Sequence, residues 1–189
     1  MDAFLVSFGV IFVAELGDKS QLMALAFATR YRALPVLVGI TVATAIVHAA
    51  SVGLGAVAGA SFPTDTISVV GGLAFFGFAA WTLRGDSLDE NEAGKAERVV
   101  RSTVLAVGTA FFLAELGDKT MLATITLATT EGAVGTWIGS TVGMVVADAL
   151  AIVAGRQLGE RLPDRAIKLG AAAAFALFGV LLIVEGIAG

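Results

Sequence analysis

The chain has 189 residues, 57% hydrophobic, only 15% charged and 23 of them glycine, with a mean hydropathy of +0.90. That excludes a water-soluble domain, whose surface alone needs about a quarter charged residues. A net charge of −4 argues against a nucleic-acid partner, and the lack of cysteine with a single histidine excludes disulfides, iron–sulfur clusters, thiolate zinc sites and multi-histidine metal centres. Carboxylates, hydroxyls, amides and backbone are left to carry any chemistry.

Six apolar stretches are long enough to cross roughly 30 Å of hydrocarbon: 3–29, 34–60, 66–84, 103–129, 132–156 and 165–187. The first opens directly after Met1-Asp2-Ala3-Phe4. No positively charged segment precedes it, so it is expected to be retained as a span and not cleaved as a signal peptide. The connections are short except for 85–102, which carries Asp86, Asp89, Glu90, Glu92 and Glu97 and reads as a solvated linker. The polar/apolar alternation of a membrane β-barrel is absent. The expected fold is therefore an all-α membrane protein with six transmembrane helices.

The linker separates two copies of one unit, 1–84 and 103–189. A shift of 100 residues superposes Ala14-Glu15-Leu16-Gly17-Asp18-Lys19-Ser20 on Ala114-Glu115-Leu116-Gly117-Asp118-Lys119-Thr120, and in the same register Leu22 meets Leu122, Gly39 meets Gly139 and Phe75 meets Phe175. Three spans is an odd number, so the second copy is expected to enter the membrane from the opposite side. Inverted repeats of this kind place a site near the midplane between the halves. Outside the motifs, every Lys and Arg, from Arg30 and Arg32 to Arg165 and Lys168, falls on the side holding the connections after spans 1, 3 and 5. By the positive-inside rule that side is cytoplasmic. Both termini are then outside, and the protein is expected in the cell (inner) membrane.

Each Glu-Leu-Gly-Asp-Lys-(Ser/Thr) block begins about 12 residues into its span, roughly 18 Å deep at 1.5 Å per residue. Six ionisable groups at that depth would cost roughly 15 to 20 kcal/mol if isolated in lipid, so they must face one another, water or an ion. Read on a continuous helix, Glu and Asp at i and i+3 share one face, Ser20 or Thr120 adds a hydroxyl, and Lys19 or Lys119 at i+4 reaches its own Glu. The intervening Gly permits either close helix contact or a local break that frees backbone carbonyls. Two such motifs supply four carboxylates and neutral oxygens, a donor set suited to Mg²⁺, Ca²⁺ or Mn²⁺. A non-transporting alternative is a set of salt bridges that only joins helices.

The doubled motif E-x-G-D-[KR]-[ST], in the first and fourth of six spans, resembles the Gdt family of divalent cation/proton exchangers. That family includes bacterial manganese exporters and Golgi Mn²⁺/Ca²⁺ transporters, and the resemblance covers essentially the whole chain. It implies a transporter and not an enzyme, with no cofactor. It further implies Glu15, Asp18, Glu115 and Asp118 as cation-binding acids, and export of Mn²⁺ first, Ca²⁺ next, against protons. A cation channel is the alternative transport reading. A Gln often follows the motif in such proteins; Gln21 fits, whereas its equivalent is Met121. Pointing into the site, a thioether would favour Mn²⁺ over Ca²⁺; pointing away, Met121 is apolar filler. His48 and Asp148 are equivalents under the same shift and read either as proton carriers or as a helix-to-helix hydrogen bond or ion pair. The remaining intramembrane hydroxyls, Ser51, Thr41, Thr44, Ser140, Thr141, Thr124 and Thr126, read mostly as packing groups bonded to preceding carbonyls. The expected partners are a divalent cation, protons and lipid, with the oligomeric state left open.

Overall fold

The computed structural model describes residues 2–84, 102–158 and 164–188, so the predicted linker lies almost entirely outside the described residues. The described residues form helices and no strands: α1 (Asp2–Glu15), α2 (Lys19–Arg30), α3 (Ala33–Ser61), α4 (Thr64–Arg84), α5 (Thr103–Glu115), α6 (Lys119–Thr130), α7 (Ala133–Leu158) and α8 (Asp164–Ala188). Four of them contain stretches long and apolar enough to cross a membrane, Ala33–Ser61, Asp65–Arg84, Ala133–Ala154 and Lys168–Ala188. The other two predicted stretches, 3–29 and 103–129, are not single helices. Each is cut at its motif, giving α1 then α2 and α5 then α6.

The cut has a local cause. Gly17 and Gly117 adopt φ of +75° and +78°, the left-handed region that only glycine enters without a steric cost and that a right-handed helix cannot continue. The turns close through backbone bonds from Asp18 N to Glu15 O, 3.1 Å, and from Asp118 N to Glu115 O, 3.2 Å. The next helix then starts at the lysine.

Packing runs mostly between the two sequence halves. α1 lies along α7, α3 along α5 and α4 along α8, with α3 also touching α6 and α7. These contacts are reciprocal under the 100-residue shift. A Cβ on Gly39 would lie 2.8 Å from Val104 O, and one on Gly139 would lie 2.4 Å from Phe4 O. Small residues at these crossings let helix backbones approach closely, which is what holds helices together where lipid removes the hydrophobic drive. Two residue pairs meet their own equivalents: Thr44 Oγ1 donates to Met144 Sδ at 3.3 Å, and the Phe75 and Phe175 rings lie 5.7 Å apart.

Two buried apolar clusters flank the breaks. One joins Met23, Phe27, Ile40, Val107, Phe111 and Ala114 from α2, α3 and α5; the other joins Ile11, Ala14, Ala123, Leu127, Phe75 and Phe175 from α1, α6, α4 and α8. Each includes the alanine just before a motif glutamate, so the breaks are held between packed surfaces. Gly139→Ala should force α1 and α7 apart and destabilise by about 1–3 kcal/mol, seen as a lower Tm in detergent. Gly9→Ala, where an added Cβ meets nothing within 4 Å, serves as the control, and equal Tm values for the two variants would contradict this packing.

Candidate cation site

Glu15 is the last residue of α1 and Asp18 the residue before α2, and Glu115 and Asp118 stand in the same places between α5 and α6. The two acids of a motif therefore do not share a face of one helix. They flank a turn. All four are buried, with at most 2% of each residue exposed. Asp18 and Asp118 occupy N-cap positions, where aspartate normally accepts from the backbone N–H groups of its own helix, yet neither side chain makes that bond.

Their carboxylates turn to the other half instead. Lys119 Nζ bonds to Asp18 Oδ1, and Lys19 Nζ reaches Asp118 Oδ1 at 3.4 Å. The break ends the helical register that an i,i+4 pairing of each lysine with its own glutamate would need. Each lysine crosses to the aspartate of the opposite motif.

The hydroxyls hold the glutamates. Thr120 Oγ1 donates to Glu115 Oε2 at 2.6 Å. Ser20 Oγ donates to Glu15 Oε1 and faces Asp18 Oδ2 at 3.0 Å. A further carboxylate, that of Asp148 on α7, is fully buried. The site so assembled leaves Glu15 Oε2, Glu115 Oε1 and both oxygens of Asp118 and Asp148 buried without a hydrogen-bond donor among the described residues. Among those residues, no three acidic or imidazole groups converge closely enough to hold a metal ion; both aspartates are engaged by ammonium groups.

Gln21 and Met121 have the same local task. Gly17 N donates to Gln21 Oε1 at 2.8 Å, and Gly117 N donates to Met121 Sδ at 3.2 Å. Each side chain thus folds back to cap the amide of its own positive-φ glycine. Gln21 also donates from Nε2 to Ala147 O at 3.1 Å, which ties α2 to α7 beside Asp148. The Ala147 carbonyl is part of the site's frame that no side-chain pattern could reveal.

His48 and Asp148 are fully buried, but neither a hydrogen bond nor an ion pair joins them, which corrects the paired alternative. Helices α3 and α7 meet at Thr44 and Met144, one turn away. The other hydroxyls largely bond within their own helices, as expected: Ser51 to Val47 O, Thr41 to Leu37 O and Thr124 to Thr120 O. Thr44 and Thr141 depart from this: the partner of Thr44 is the Met144 sulfur, and Thr141 Oγ1 is buried without a hydrogen-bond partner among the described residues.

Buried carboxylates and ammonium groups that cross between two interrupted helices, inside an apolar helical bundle, are the arrangement of a membrane transport protein. The sequence profile of the family described as "Divalent cation/proton antiporter GDT1" matches residues 3–90 and 103–189. The chain belongs to this family of transporters. A protein of Vibrio cholerae named "Putative manganese exporter" is 32% identical over 95% of this chain and 90% of its own length. The rice "GDT1-like protein 2, chloroplastic" is 31% identical over 94% of this chain, which spans 59% of that protein. "Protein PAM71, chloroplastic" of Arabidopsis thaliana is 29% identical over 96% of this chain and 56% of its own length. No solved structure matches the chain.

The crossed pairs predict a coupling. Asp18→Asn leaves Lys119 charged, buried and without that carboxylate, at a cost of about 3–5 kcal/mol. The double variant Asp18→Asn/Lys119→Met should be more stable than the two single effects added together. A thermal-unfolding double-mutant cycle in detergent measures this, and simple additivity would refute the contact.

Proposed function

We propose that the protein exports Mn²⁺ from the cytoplasm in exchange for protons, by alternating access to the site formed by Glu15, Asp18, Glu115 and Asp118. Ca²⁺ ranks second as a substrate. The observation that carries the proposal is the crossed pairing itself. Four buried carboxylates lie at the two breaks, two of them paired with the lysine of the opposite motif, so the region holds more acid than base and can accept either protons or a dication. Membership in a divalent cation/proton antiporter family and the likeness to a protein named as a manganese exporter support the same reading.

In this proposal α1 with α2, and α5 with α6, each cross the membrane as one interrupted span. The six spans form two oppositely inserted repeats, the Arg30–Arg32 connection is cytoplasmic and both termini are outside, in the cell membrane. Interrupted helices at the midplane offer helix ends and turn carbonyls as well as side chains to an ion. Because α1 packs on α7 and α5 on α3, the two halves do not move as separate bodies; access changes at the two breaks. Burial favours protonated carboxylates and a bound dication favours ionised ones. That opposition makes proton and cation occupancy exclusive, which couples their fluxes. Ser20 and Thr120 add hydroxyl oxygens and hold the glutamates in place.

Purified protein in proteoliposomes should move Mn²⁺ in response to an imposed pH gradient, faster than Ca²⁺, and Glu115→Gln should lower that flux to background. Flux indifferent to the gradient would make the protein a channel. Full flux in Glu115→Gln would remove this site from the pathway. Since the Met121 sulfur is held by the Gly117 amide, Met121→Gln should leave the Mn²⁺/Ca²⁺ flux ratio unchanged, and a shift toward Ca²⁺ would place the thioether at the ion instead.

A further inference from the structure

The two crossed ion pairs are equivalent in sequence but not in setting. Lys119 and Asp18 are sealed, their side chains 3% and 1% exposed, and Asp18 also lies 3.0 Å from the Ser20 hydroxyl. Lys19 keeps 23% of its side chain exposed and meets Asp118 at 3.4 Å. Asp118 accepts no well-directed hydrogen bond among the described residues. Buried carboxylate oxygens without a donor divide the same way. The second motif has Glu115 Oε1 and both oxygens of Asp118, whereas the first has Glu15 Oε2 alone. The turn of the second motif is also the more open: Leu116 is 47% exposed and Leu16 is half-buried.

A buried acceptor without a donor carries a desolvation cost that a ligand can relieve, so a cation gains most at Glu115 and Asp118. An ammonium that is only partly enclosed and lies 3.4 Å from its carboxylate gives up less when it leaves than a sealed one, which would be stranded. We propose that Lys19 is the displaceable counter-ion of the site: the incoming divalent cation takes Asp118 and Glu115 from Lys19, while Lys119 stays on Asp18 and keeps the first motif closed. The inference rests on the proposed function and gives the two lysines of the doubled motif opposite parts.

Mn²⁺ binding to the purified full-length chain at fixed pH tests this, comparing wild type with Lys19→Met, Lys19→Arg and Lys119→Met. A site whose competent form is only a tenth populated shows an apparent Kd raised about tenfold. On that scale Lys19→Met should bind Mn²⁺ about tenfold more tightly, with a lower KM. Its kcat should also fall, because no ammonium returns to help the ion leave. Lys19→Arg, which keeps the charge, should not tighten binding. Unchanged or weaker binding in Lys19→Met, or tightening in Lys119→Met instead, overturns the assignment.

The absence of cysteine from the chain allows a second measurement that does not depend on affinity. A membrane-impermeant thiol reagent should label Lys19→Cys faster than Lys119→Cys, and Mn²⁺ should change the labelling of the first. Equal or reversed rates also overturn the assignment. Wild-type protein that binds no Mn²⁺ sinks the proposed function itself, whereas wild-type binding with an unaltered Kd in Lys19→Met sinks this inference alone.

Discussion

The structure depends on the need to neutralise charge in an apolar interior. Isolated in hydrocarbon, each motif acid or lysine would cost several kcal/mol, and a salt bridge recovers that cost only with good geometry and further hydrogen bonds. The chain meets the need by crossing its two motifs, Lys119 to Asp18 and Lys19 to Asp118. Much else follows from this arrangement. The helices must stop where the charges meet, which Gly17 and Gly117 achieve by entering the left-handed region. Both aspartates must give up their usual capping role. Glu15 and Glu115 must be held by Ser20 and Thr120.

The crossing also explains why the duplicated halves interlock. A lysine can reach the opposite aspartate only if both breaks lie side by side, and the close glycine crossings of α3 on α5 and of α7 on α1 bring them there. Reciprocal contacts and residues that meet their own equivalents, Thr44 with Met144 and Phe75 with Phe175, are what a two-fold relation between copies produces. The relation is inexact at the places where function would need a direction. Asp148 stands opposite His48 in the register, Gln21 opposite Met121 and Ser20 opposite Thr120. A symmetric carrier has no intrinsic difference between its two faces, and these substitutions supply one.

An antiporter requires that its two substrates exclude one another at one place. Carboxylates in a water-poor site do this without moving parts, because protonation and dication binding both neutralise the same oxygens. In the proposed mechanism the Lys19 ammonium is a third competitor for the Asp118 carboxylate.

Much of this was legible in the sequence. Composition points to a membrane protein, the 100-residue register reveals the duplication, and six ionisable groups within two apolar stretches single out a candidate site, because composition, charge and repetition are all linear properties of a chain. Tertiary structure alone decided the partners. Local spacing suggested lysine with its own glutamate at i+4 and the two acids on one helical face, both of which assume a continuous helix. The positive φ of Gly17 and Gly117 removes that assumption. The same holds for Asp148, which makes no hydrogen bond to His48, and for the Ala147 carbonyl that anchors Gln21. Which charge meets which is set by how helices far apart in sequence cross, and electrostatic energy in a low-dielectric interior depends on that distance and not on separation along the chain.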